Sequence, residues 1–274
     1  MEGTIITHVP YCGKPPLPAD IWLRWNLDPV LLSGLAAVAI AYAINVRKLP
    51  HVSLRARASF YAGWIVVTAG LISPICPLSV ALFSARVGQH MILLLFGAPL
   101  MALGHPGEVF GQTLRVISRP RPSPLIATAV FASILWLWHA PLPYAWTFES
   151  TFVYWAMHFT LFGSALWLWC ELLNRQPEGL IRRSCASAIA SIQMGFLGAL
   201  ITFAPRAVYV PHFFTTIPWG MSSLQDQQLG GVIMWVPGCV IFLAIASYEF
   251  WRAIEETPFE TLEFLRDGEI ALPR

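Results

Sequence analysis

Four histidines lie at or near the ends of apolar stretches, and that shared placement raises the question of one shared chemistry. His139 stands in "WLWHAPLPYAW", His90 in "RVGQHMIL", His158 in "WAMHFTLF" and His212 in "YVPHFF". Imidazole is expensive in hydrocarbon, so a histidine inside an apolar run needs a reason. A neutral ring is also the commonest protein metal ligand and suits copper, zinc and haem iron. Methionine, a soft thioether ligand that favours Cu(I), adjoins two of these histidines as Met91 and Met157, and Met221 shares the His212 segment. Adjacent residues on a helix point about 100° apart, so His90 and Met91 do not readily serve one ion. No H-x-x-x-H or C-x-x-C spacing is present. For any one of these histidines, an interfacial anchor or an interhelical hydrogen bond is the competing reading.

The elements that must position these rings follow from composition. Of 274 residues, 56% are hydrophobic and only 12% are charged. Soluble domains carry about a quarter charged residues, so the chain reads as a polytopic membrane protein. Twelve tryptophans fit an interfacial aromatic belt. Seven stretches approach the ~20 residues needed to span a bilayer, at 29–46, 58–75, 87–104, 124–142, 152–173, 187–207 and 229–251. The prolines of "SPICP" break the end of the second. The expected fold is an all-α membrane protein of seven transmembrane helices. It divides into a polar tail at 1–28 without a secretory leader pattern, a helical domain at 29–251 and a C-terminal tail at 252–274.

Basic residues set the expected orientation. Arg47, Lys48, Arg55, Arg57, Arg115, Arg119, Arg121, Arg175, Arg182, Arg183, Arg252, Arg266 and Arg274 fall in alternate connections and the C-terminal tail, 13 of the 17 in all. Lys14, Arg24, Arg86 and Arg206 fall on the opposite side. The positive-inside rule then puts the N-terminus outside and the C-terminus in the cytoplasm. His90, His139, His158 and His212 converge on the outer face with His8, while His51 and His105 face inward. Asp226, in "SLQDQQLGG", also lies outside. It either caps its own helix or acts on a metal site, as a ligand or by orienting an imidazole. Arg206 either snorkels or pairs with Asp226. The five cysteines form no disulfide framework on sequence grounds. Cys12 and Cys76 share the outer side and could pair there, though no motif shows it; otherwise Cys76 reads as a buried or lining thiol or a copper relay. Span interiors are nearly free of charge, and no nucleotide loop, nucleophile elbow or carboxylate pair is present. These absences argue against an enzyme, a proton-coupled transporter and a nucleic-acid binder.

The segments "ARVGQHMILLLFGAPLMALGHP", "LWLWHAPLPYAW", "WAMHFTLF", "TFAPRAVYVPHFF" and "SLQDQQLGGVIMWVPG" occur in that order and resemble the CtaG family of cytochrome c oxidase assembly factors, the polytopic caa-type. The resemblance covers about 70–255. It implies a role in maturing haem–copper oxidase in the bacterial inner membrane, with the catalytic subunit and a periplasmic copper chaperone as expected partners. Carried onto this sequence, it makes His90, His139, His158 and Asp226 the expected metal residues, with His212 as a fifth. Copper is the expected metal. A b-type haem held by two histidines and a metal-free accessory subunit remain the alternatives.

Overall fold

A computed structural model describes residues 9–114, 123–174 and 179–255. His8, Arg115, Arg119, Arg121, Arg175, Arg266, Arg274 and the C-terminal tail beyond Glu255 lie outside the described residues. The described chain is helical throughout, with no strand. Its helices are α1 (Pro29–Val46), α2 (Leu54–Ile72), α3 (Ile75–Ala81), α4 (Phe83–Ile92), α5 (Ala98–Ala102), α6 (Pro106–Leu114), α7 (Pro124–His139), α8 (Pro141–Glu149), α9 (Thr151–Leu172), α10 (Leu180–Thr202) and α11 (Ser223–Glu255). The end of the bundle at which α1 begins is the upper end.

Local chemistry explains most of these boundaries. Asp28 caps α1 through the Val30 amide at 2.9 Å, with Pro29 at the first helical position. Ser53, Ser123 and Ser150 cap α2, α7 and α9 in the same way. Residues before proline avoid helical geometry. Ser73, before Pro74, is therefore extended and bends α2 from α3 by 48°, and Ala140, before Pro141, bends α7 from α8 by 70°. The first bend falls where "SPICP" was expected to break the second span.

The helix from Phe83 to Ala102 lies at the centre, 67% buried over its apolar window. It is not continuous α-helix, because Leu93–Gly97 forms a π-helical turn between α4 and α5. Pro99 has no N–H to offer the Leu95 carbonyl, and a π-turn before a proline relieves that conflict. The neighbouring Leu94 carbonyl accepts the indole N–H of Trp169 on α9 at 2.8 Å. Helix α4 packs on α11 and α3, α5 packs on α2 and α9, and α10 packs along α11 and α7. The α10–α11 seam uses small residues that admit close backbones. A Cβ at Gly198 would meet the Gly231 carbonyl at 3.0 Å. At the lower end this seam closes with a buried Arg183–Glu249 ion pair at 2.9 Å.

Among the described residues, four helices are long and apolar enough to cross a membrane: α1, the Phe83–Ala102 helix, α10 and α11. The count rises to six if each bent pair, α2–α3 and α7–α8, is one span. Helix α9 has the length, at 22 residues, but is not among them. It carries three tryptophans, a tyrosine and a histidine, which lower its hydropathy.

Of the readings open for the outer cysteines, the structure takes the pairing. Cys12 and Cys76 form a disulfide with Cα atoms 5.5 Å apart, so Cys76 is not a thiol. The bond ties the N-terminal tail to α3 across a separation of 64 residues. Two residues distant in sequence and in no motif carry no pairing signal, and only the folded-back tail brings them together. Cys170, Cys185 and Cys239 are free. Denatured, unreduced protein should therefore take up three equivalents of a maleimide, rising to five after reduction. Five equivalents without reductant would remove the disulfide.

Candidate functional site

All three span histidines come to the upper end. His90 stands two turns into α4, His139 is the last residue of α7, and His158 is two turns into α9. Each is no more than 6% exposed. The His90 and His158 rings face one another, T-shaped, with centroids 5.3 Å apart. The His158 Nδ1 bonds the Tyr154 carbonyl at 3.0 Å, and the His139 Nδ1 bonds the Leu135 carbonyl at 2.8 Å. A carbonyl only accepts, so each Nδ1 carries the proton, and in a neutral ring the lone pair is left on Nε2. The Nε2 atoms of both His90 and His158 are buried without a hydrogen-bond partner. Two orphaned imidazole nitrogens on facing helices are costly unless something takes them. Among the described residues, no group of three His, Cys, Asp or Glu side chains is arranged to hold a metal ion.

The other expected residues are placed differently. His212 is buried beside α8, with Nδ1 at 3.2 Å from the Ala81 carbonyl and Nε2 at 2.6 Å from the Tyr144 hydroxyl. Burial, reinforced by the Arg86 charge, pushes its pKa down to about 3, so the ring is neutral. Both nitrogens are engaged, Nδ1 donating and Nε2 accepting. Asp226 caps a helix, but not its own. Its carboxylate accepts from the Phe83 amide at 2.6 Å, the Ser84 amide at 3.1 Å and the Ser84 hydroxyl at 2.5 Å. The start of α4 has no side-chain cap from its own segment, so α11 supplies one. No imidazole is among these partners. Met91 and Met157 pack in the hydrophobic core. His51 and His105 sit apart, at the lower end, both against Glu108.

The rest of the "DQQLGG" segment makes the same junction. Gln227 Oε1 accepts the Val208 amide at 2.8 Å, and its Nε2 donates to the carbonyls of Ile201 and Arg206 at 3.3 and 3.4 Å. A Cβ at Gly230 would strike the Phe83 ring at 2.5 Å, and one at Gly231 would strike Thr202. Tyr209 stacks on Phe83 at 4.0 Å and donates to the His139 carbonyl at 2.9 Å. One segment of α11 thereby fixes α4, the end of α10 and the connection between α10 and α11.

Sequence reasoning passed over Arg86 and the aromatic residues around it. Arg86 is 2% exposed. Its guanidinium carbon lies 4.3 Å from the Phe148 ring centroid, 5.0 Å from Tyr144 and 5.7 Å from Tyr154. It is within electrostatic range of His90, His139, His158 and His212. The available signal was an arginine four residues before His90, hence on the same helix face. Tyr154 links this cluster to the tail. Its ring lies 4.2 Å from His158 and 4.9 Å from Tyr11, and its hydroxyl is 3.3 Å from the Cys12 sulfur. Tyr11 in turn donates to Asp28 at 2.5 Å. Burial and that bond hold its phenol well above the usual tyrosine range.

The family profile described as "Cytochrome c oxidase caa3 assembly factor" matches residues 39–256. Two uncharacterized proteins, one from Mycobacterium bovis and one from Mycobacterium tuberculosis, are each 23% identical over 268 residues. The match covers 85% of this chain but only 40% of each mycobacterial protein. No solved structure matches.

The Asp226 geometry makes a stability prediction. Asp226→Asn leaves one acceptor oxygen and turns amide hydrogens toward either the Phe83 or the Ser84 donors. Losing charge-assisted bonds should cost about 2 kcal/mol. The measurement is the thermal midpoint of the detergent-solubilised protein. An unchanged midpoint would mean that Asp226 does not hold α4.

Proposed function

This chain belongs to the family of cytochrome c oxidase caa3 assembly factors, and from that membership we propose that it serves the oxidase by holding copper near the outer face of the bacterial plasma membrane. The observation that carries the metal reading is the pair of buried, unpartnered Nε2 atoms on His90 and His158. These atoms fit a soft cation. The rings are uncharged donors on facing helices with centroids 5.3 Å apart, and a backbone carbonyl fixes the tautomer of His158. His139 would join as a third donor, since its Nδ1 is committed in the same way. His212 and Asp226 would support the site by position, His212 against α8 and Asp226 through α4. Bound copper would supply the ion that the oxidase needs for its own centre. The chain's residues hold it, exclude water and carry no catalytic step.

Membership implies association with the oxidase. We extend this to the catalytic subunit as acceptor and a periplasmic chaperone as donor. The proposed topology is seven spans, counting α9 and each bent pair as spans, with the N-terminus outside. Two features support it. Arg47, Lys48, Arg55, Arg57, Arg182 and Arg252 lie toward the lower end, as the positive-inside rule asks of a cytoplasmic face. The Cys12–Cys76 disulfide lies at the upper end and suits an oxidising compartment.

Two measurements test this. A reporter active only outside the cytoplasm should work when fused after Trp146 and fail when fused after Arg119, and the reverse pattern would invert the topology. His90→Ala and His158→Ala should each lower copper bound to purified protein by at least ~10-fold while membrane insertion is unchanged. Full copper content in both variants, or a haem Soret band in the wild type, would overturn the metal reading.

A further inference from the structure

Arg86 is a fixed cation beside the histidine pair. It stands one turn before His90 on α4, so their Cβ atoms are about 6 Å apart. Among the described residues it makes no ion pair with a carboxylate. Asp226 of α11, which meets the start of α4, has its oxygens bound to Phe83 and Ser84. The faces of Tyr144, Phe148 and Tyr154 hold the guanidinium instead, and its Nε has no partner. Ring faces stabilise a cation without cancelling its charge. In a buried, weakly screened setting that charge raises the electrostatic potential at the His90–His158 pair.

We propose that Arg86 makes the His90–His158 pair selective for a monovalent metal ion, copper(I), over divalent ions such as zinc(II). The inference rests on the reading of that pair as metal ligands. A divalent ion feels twice the penalty of a monovalent ion in the same potential. The two donors are neutral imidazoles and bring no compensating charge. Even with His139 as a third donor, no fourth His, Cys, Asp or Glu side chain stands ready among the described residues to complete the tetrahedral shell that zinc prefers. Copper(I) is satisfied by fewer ligands and carries half the charge.

The two-to-one charge ratio gives a quantitative test. If removing the Arg86 charge raises the copper(I) binding constant by a factor f, it should raise that of zinc(II) by f squared. For one turn of helix at an effective dielectric near 20, f is about 10 to 100. Copper(I) affinity is read anaerobically by competition with a chromophoric chelator, and zinc(II) affinity by competition with a second indicator, on full-length purified protein. Arg86→Gln should lower the preference for copper(I) by about f, while Arg86→Lys, which keeps the charge, should hold it within a few-fold. An unchanged preference in a folded Arg86→Gln protein overturns the selectivity proposal and leaves the metal reading intact. If that variant does not fold, the wild type decides: it should keep copper(I) against a tenfold excess of zinc(II), and equal uptake of zinc overturns the proposal. Wild-type protein that binds neither ion overturns the metal reading instead.

Discussion

The structure depends on one carboxylate reaching across to another helix. Asp226 meets the first two amides of α4, which would otherwise be buried donors without acceptors. Helix starts carry partial positive charge, so an anionic acceptor is the favoured partner. Because the cap comes from α11, it sets where α4 begins and how it is turned against its neighbours. Gly230 and Gly231 follow at once and let α11 approach α4 and α10 without a Cβ between them. The short "DQQLGG" run is therefore a three-way junction. Moving it would move the helix that carries both Arg86 and His90.

From that anchor the central helix is arranged by its own irregularities. The π-turn at Leu93–Gly97 absorbs the missing amide of Pro99, and Trp169 of α9 binds the Leu94 carbonyl within it. Gln89 donates to the Gly70 carbonyl of α2 at 2.7 Å, which ties the turn before the π-segment to a second neighbour. His90 is thus held between a capped start and a braced middle. His158 belongs to the same α9 that braces it, and the two rings meet as a result.

The upper end also gathers what a membrane interior would not tolerate singly. A buried arginine, four imidazoles and three phenol or phenyl rings share one cluster, and each limits the others. The aromatic faces hold the cation, and Tyr144 and the Ala81 carbonyl occupy both nitrogens of His212. Tyr154 lies between His158 and the strapped tail. The N-terminal tail closes over this end through Tyr11, Cys12 and Asn26, whose amide donates to the Ile72 carbonyl at 2.9 Å. What remains unmatched is narrow: Nε2 of His90, Nε2 of His158 and Nε of Arg86 within the cluster.

Local chemistry in the sequence determined much of this. Apolar run length marked the long helices such as α1, α10 and α11, and Asp28, Ser53, Ser123 and Ser150 cap the starts of α1, α2, α7 and α9. The prolines after Ser73 and Ala140 marked the bends, because capping and pre-proline geometry act over a few residues. Alternation of direction along the chain already placed His90, His139 and His158 at one end. The tertiary structure alone decided what depends on rotation about a helix axis and on long-range contact. It decided that His90 faces His158 while His212 turns to Tyr144, and that Asp226 caps α4 rather than α11. It also decided that Cys12 reaches Cys76 and that Arg86 lies inside an aromatic cage. Each of these needs two helix faces, or a helix and a distant tail, to be set against each other. No local propensity encodes that angle; it is fixed by packing around the α11 junction.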